Sequence, residues 1–130
     1  MSDKLKSISE QINSILSPYN VVVKFGDKAI EDLISYQKEQ QELIIALIIK
    51  RGIHGPLLKP NGIGEPLRGK LNGFAKIKHM KPQIRVVYRP IRNGIIRMEV
   101  IAIGPRDRKE AYNKAAERII QFKSKWKTPE

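Results

Sequence analysis

FAKIKHMKPQIRVVYR, from Phe74 to Arg89, is the stretch whose reading decides the fold. Successive strand residues point to opposite faces, so Phe74, Lys76 and Lys78 share one side while Ala75, Ile77 and His79 share the other. Met80-Lys81-Pro82 breaks the run. A second alternation follows, with Ile84, Val86 and Tyr88 on one face and Arg85, Val87 and Arg89 on the other, and Asn93-Gly94 supplies the next turn. The segment Ile95 to Ile103 completes a three-strand meander and, as its most apolar member, is expected at the centre of the sheet. Between Pro66 and Met98 there are nine basic residues and no acidic one. By composition this is an anion-binding sheet.

Charge is distributed unevenly around that sheet. The chain carries +12 overall, yet residues 1 to 50 sum to −1 and residues 51 to 130 to +13. Scattered lysines usually serve solubility, but cations concentrated on strands in one half point to a polyanion, with nucleic acid the first candidate. An anionic membrane fits less well, because the basic region alternates as sheet instead of forming an amphipathic helix. At 130 residues a single domain spanning 1-130 is expected, large enough to bury roughly two thirds of its unfolded surface. There is no cysteine, which suits a reducing compartment. The start Met1-Ser-Asp-Lys lacks the order of a signal peptide, and the longest apolar run, Leu43 to Ile49, is too short to span a bilayer. A cytoplasmic protein with no membrane partner is expected.

Upstream of the sheet, Leu5, Ile8, Ile12 and Ile15 or Leu16 recur at helical spacing until Ser17-Pro18 stops them. That apolar stripe packs on its own domain, forms a homodimer or docks a partner, with self-packing the default. Tyr19 to Phe25 reads as a short strand closed by Gly26-Asp27, and Asp27 is placed to cap the next helix. A core stripe of Ala29, Ile30, Leu33 and Ile34 lapses through Gln37 to Gln41 and resumes as Leu43 to Ile49. This predicts a helical hairpin ending near Gly52 as the residue after the helix. Ile53 to Pro66 is a long loop rich in glycine and proline without a phosphate-binding fingerprint. After Gly104-Pro105 a helix begins at Arg106 or Asp107 and runs through Ala111, Ala115 and Ile119, leaving 121-130 as a basic tail.

In order, "PLRGKLNGFAKIK", "QIRVVY" and "MEVIAIGPRDRKEAYNKAAERI" resemble the RelE/ParE superfamily of bacterial toxin-antitoxin toxins, over about Val21 to Ile120. The resemblance implies a small α+β fold: an antiparallel twisted sheet of about four strands, one amino-terminal plus the meander, packed by the helical hairpin and a carboxyl-terminal helix. The helix before Val21 is extra. It also implies an endoribonuclease that cuts mRNA in the ribosome without a metal or other cofactor, held off by a separately encoded antitoxin. The RelE-type working positions are matched by Lys76, Lys78, Arg85, Arg106 and Tyr112, and Arg68, Lys70, Lys81, Arg89 and Arg108 are added as RNA-binding cations. The extra helix and the long loop depart from the family pattern; the first is able to cover the surface that the family's antitoxins use, and the second to alter how the protein enters the ribosome.

RNA cleavage by its own 2′-hydroxyl needs a base near that oxygen, positive charge on the phosphoryl oxygens and help for the leaving 5′-oxygen. Lys78, crowded by Lys76, Arg85 and Arg106, is the lysine singled out as base. Arg85 suits a bidentate grip on phosphate, and Tyr112 can stack on a base. Arg106 suits charge stabilisation better than proton donation. Each also has a duller reading: strand lysines as an exposed face, Arg85 paired with Glu99, Arg106 opening a helix, Tyr112 in the core beside Ala115. His54 and His79 make too poor a donor set for a metal. Register is the test. A hairpin loop of four residues, His79 to Pro82, puts Arg85 opposite Lys76, whereas a loop of three turns it away from both lysines. A ParE-like DNA gyrase inhibitor and a non-catalytic nucleic-acid-binding module remain as alternatives on the same scaffold.

Overall fold

The computed structural model describes residues 3–105 and 110–125. Helix α1 (Asp3–Leu16) and a 3-10 turn (Ser17–Tyr19) lead into strand β1 (Val21–Phe25). Helices α2 (Asp27–Ile34) and α3 (Lys38–His54) form the hairpin; β2 (Glu65–Pro66), β3 (Ala75–Met80), β4 (Gln83–Asn93) and β5 (Ile95–Pro105) follow, and α4 (Glu110–Lys125) closes the described chain. The sheet runs β1-β5-β4-β3-β2. It has five strands where about four were expected, because β2 is too short to leave an alternation in the sequence. Nor is it wholly antiparallel: β1 runs parallel to β5, with Val21 opposite Ile96 and Phe25 opposite Val100. With β2 added at the far side, β4 and not β5 is the middle strand.

The two faces are covered differently. One packs Val86, Tyr88, Met98 and Val100 beneath Ile12 and Leu16 of α1, Leu33 of α2 and Ile44 and Ile48 of α3. The other packs Val87, Ile101 and Ala102 under Ala111, Ala115 and Phe122 of α4, with Leu71 and Phe74 beside them. A β-bulge makes the second face possible. Val87 pairs with Ala102 but Tyr88 with Val100, so Ile101 has no opposite residue. The extra residue reverses the parity of β5, so Ile101 and Ala102 both join the α4 side. Beyond it Gly104 comes to lie beneath α4, where a Cβ would stand 3.4 Å from the Cα of Ala111.

Helix α1 packs on its own domain. The Asn13 side chain accepts from Val23 N–H at 2.8 Å and donates to Val23 C=O at 3.3 Å, satisfying the backbone of an outer strand that would otherwise be open to pairing. Gly52, expected to follow the end of α3, is inside that helix; a Cβ there would meet Leu16 Cδ2 at 2.8 Å, so its bareness serves the crossing of α1 and α3. Gly55 caps the helix instead, at φ 114°. Gly26 and not Asp27 caps α2, and Asp27 occupies its first turn, where a negative charge suits the positive end of the helix. The break between α2 and α3 falls at Ser35–Gln37, two to four residues earlier than the polar stretch suggested. At the other end α4 continues into the segment read as tail, as far as Lys125.

Candidate active site

The β3–β4 hairpin turns tighter than either register considered from sequence. Met80 pairs with Gln83, leaving only Lys81-Pro82 in the loop, and Lys78 lies directly opposite Arg85. Residues opposite one another in an antiparallel pair share a face, so any even loop length unites Lys76, Lys78 and Arg85 and an odd one separates them. Two is even. The three basic side chains share the α4 side of the sheet. Across the next pair Arg85 faces Gly104, on which the first turn of α4 rests through Ala111. Tyr112, the next residue, is half-buried against the cluster formed by Phe74, Val87 and Ala115.

Exposure separates these residues into those that meet solvent and those that support them. Lys78 is exposed, Lys76 half-buried and Arg85 buried, with its guanidinium Nη1 donating to the carbonyls of Ile84 at 3.1 Å and His79 at 3.3 Å. Arg85 is not paired with Glu99. Arg89 and Arg97 hold that carboxylate instead, at 2.7 and 2.6 Å. Arg68, Lys70 and Lys81 are exposed cations on the rim of the sheet and at the hairpin tip. Arg89, expected among the RNA-binding cations, is an interior residue: it is 5% exposed, salt-bridged to the sealed Glu99, and stacked 5.9 Å from the Phe74 ring and 5.3 Å from that of Phe122. Arg106 and Arg108 lie outside the described residues. His79 Nε2–H donates to Lys81 C=O within the hairpin, at 3.0 Å.

Three supporting residues escaped the sequence reading. Arg51 of α3 donates from Nη1 to Lys76 C=O at 3.0 Å and to the Tyr88 hydroxyl at 3.1 Å, and that hydroxyl donates to Pro56 C=O at 2.8 Å. Burial raises the Tyr88 phenol above its ordinary value of 10.0, with the Arg51 hydrogen bond and charge working in the opposite direction. The site strand and the glycine- and proline-rich loop are thus pinned to one buried tyrosine. Glu65, the last acid before the acid-free stretch, pairs with Lys76 across β2 and β3 and places its carboxylate 3.8 Å from Nζ. Its only signal in the sequence is that position. On the far side of α4, Asp32 of α2 accepts from Arg118 at 2.6 and 3.0 Å, from Lys114 at 3.4 Å and from Ile103 N–H at 3.0 Å. It ties the helix that carries Tyr112 to the opposite layer.

Searches with the sequence match no family profile and no curated protein. Comparison of the structure does find relatives. A free-state E. coli toxin RelE with two arginines changed to alanine superposes with TM-score 0.57 at 23% identity, covering 75% of this chain and 95% of that one. The fold is that of RelE. Isolated E. coli RelE superposes with TM-score 0.50 at 24% identity over 75% of this chain and 96% of its own, and the RelBE2 toxin-antitoxin complex of Mycobacterium tuberculosis matches with TM-score 0.43 at 23% identity over 65% and 88%. Nearly all of RelE therefore has a counterpart here, while a quarter of this chain is additional to the RelE fold. Among the described residues no helix is long and apolar enough to cross a membrane, and no three His, Asp or Glu gather as a metal-binding group.

Proposed function

We propose that this protein is the toxin of a toxin-antitoxin system and an endoribonuclease that cleaves mRNA at the ribosome, acting without a metal ion and restrained by a separately encoded antitoxin. The observation that carries the proposal is the hairpin register, which aligns Lys76, Lys78 and Arg85 on one face of a RelE fold. The exposed Lys78 acts as the base that takes the proton of the 2′-hydroxyl. The 2′-oxygen then bonds to phosphorus as the 5′-oxygen leaves, producing a cyclic phosphate and a free 5′-hydroxyl. Lys76 and Arg85 stabilise the negative charge that grows on the phosphoryl oxygens, where fixed cations act more strongly than water does. Tyr112 stacks on the base beside the scissile bond and holds the nucleotide splayed. Arg106, which precedes α4 in the sequence, offsets the charge of the departing 5′-oxygen, which takes its proton from solvent water while Lys78 returns the proton it gained to solvent.

The decisive experiment maps RNA 5′ ends after purified protein is added to a translation reaction, beside naked RNA and a Lys76→Ala/Lys78→Ala variant. Cuts within codons that require ribosomes and disappear in the variant are expected. Intact messages from a protein that still arrests growth would overturn the nuclease and direct the next assay to DNA gyrase. Intact messages without toxicity would leave a nucleic-acid-binding module.

A further inference from the structure

Glu65 stands where the sheet otherwise presents only cations, and its position is built into the fold. On one side Gly64 N–H donates to Leu57 C=O at 2.9 Å and Gly64 C=O accepts from Lys59 N–H at 3.0 Å; on the other, Leu67 N–H donates to Phe74 C=O at 3.0 Å. The backbone of Glu65 is thereby fixed between two anchored points beside Lys76. Its ion pair differs in kind from that of Glu99, which is sealed at 0% exposure and 2.6 to 2.7 Å from two arginines. Glu65 and Lys76 sit 3.8 Å apart with side chains 36% and 28% exposed, a geometry typical of weak pairs that solvent and competing anions displace.

We infer that Glu65 is an internal counter-ion, occupying Lys76 in the free protein until a phosphate of single-stranded RNA displaces it. The inference rests on the nucleic-acid reading above and adds a selectivity step to it. Lys78, which forms no ion pair among the described residues, is open to any anion. Lys76 passes more readily to a ligand that holds a phosphate beside β3 while its neighbours are engaged than to an isolated anion, because a tethered phosphate is present at higher effective concentration. A strand of RNA meets that condition through its repeated phosphates and inorganic phosphate does not.

The test is equilibrium binding of a fluorescein-labelled single-stranded RNA, blocked against cleavage by 2′-O-methyl groups, over a range of salt concentrations. Glu65→Gln should tighten binding about two- to fivefold at low salt, the scale of one exposed ion pair. It should also steepen the slope of log K against log salt, because the carboxylate freed in the unmodified protein takes up a cation from solution as RNA binds and the variant has no such charge to neutralise. Glu65→Asp keeps the charge and should behave like the unmodified protein. In a Lys76→Gln background, Glu65→Gln should change neither quantity. An unchanged slope, or an effect that persists without Lys76, would overturn the counter-ion role while leaving RNA binding in place. No RNA binding by the unmodified protein at low salt would instead overturn the nucleic-acid reading on which the inference depends. Thermal melts of each variant guard against misfolding, which a residue this exposed should not cause.

Discussion

The sheet has two covered faces, and they are held by different forces. Beneath α1, α2 and α3 the contacts are mainly aliphatic, from Ile12 and Leu16 through Leu33, Ile44 and Ile48 to Val86 and Met98, joined by the Arg51–Tyr88 hydrogen bond. Beneath α4 the apolar cluster is half that size and is framed by two buried carboxylates and their cations, Asp32 with Arg118 and Lys114 on one flank and Glu99 with Arg89 and Arg97 on the other. A face closed by hydrophobic packing alone has no room for exposed cations. A single helix fastened by ion pairs covers part of the second face and leaves the end bearing Lys76 and Lys78 accessible. On the proposed function, the larger apolar core and the candidate site lie on opposite sides of the same strands, β3 and β4.

Substitutions on the two faces should therefore fail in different ways. Ile48→Ala, at a fully buried site under α3, should cost about 4 kcal/mol in urea unfolding and lower the melting temperature of the whole domain. Asp32→Ala should cost about 3 kcal/mol, because it strands two cations near a buried surface, and hydrogen exchange should quicken in α4 before it does in α3. Equal quickening in both helices would break the distinction between the faces. Gly62→Ala should cost about 2 kcal/mol, since a Cβ would collide with the carbonyl oxygens of Leu57 and Gly55, and backbone cannot retreat as a side chain can. It sharpens the comparison by asking whether the loop that presents Glu65 belongs to the stable face. Tyr88→Phe removes the hydroxyl that joins Arg51 to Pro56 and should cost about 1 kcal/mol at neutral pH.

Tyr88 also predicts a pH dependence. Its phenol is raised above the ordinary 10.0, chiefly by burial, so the folded chain keeps a proton that the unfolded chain releases. That contribution is complete below pH 10 and is lost as pH rises through the folded value. Denaturation midpoints should fall across this alkaline range in the unmodified protein, and Tyr88→Phe should show the shallower decline. A parallel decline in the two proteins would place the alkaline sensitivity elsewhere.

Local pattern was a sound guide wherever one residue type had one possible environment. The alternation from Phe74 to Arg89 assigned the faces of β3 and β4 because their apolar residues point to a core on a period of two. The lapse of the apolar stripe after Ile34 located the turn between α2 and α3 to within a few residues. Gly52 was misread because a glycine near a helix end and a glycine at a helix crossing are the same letter; Leu16, thirty-six positions away, settles which it is. The parity of β5 was equally hidden. Nothing in Ile95 to Ile103 marks Ile101 as the bulged residue, and the reversal it causes is what turns Gly104 toward α4.

The sequence by itself determined that this is a basic α+β domain with a cationic meander, and that Lys76, Lys78 and Arg85 belong together if the connecting loop is even. Charge composition and side-chain alternation are local properties, carried by neighbouring residues. Only the tertiary structure decided the length of that loop, the sealing of Arg89 between Phe74 and Phe122, and the arrival of Glu65 beside Lys76. Arg85 and Arg89 lie on the same face of the same strand. Both are nearly covered, at 6% and 5% exposure, but Arg85 is held by neighbouring backbone carbonyls and Arg89 by Glu99, Phe74 and Phe122, which reach it from other parts of the chain.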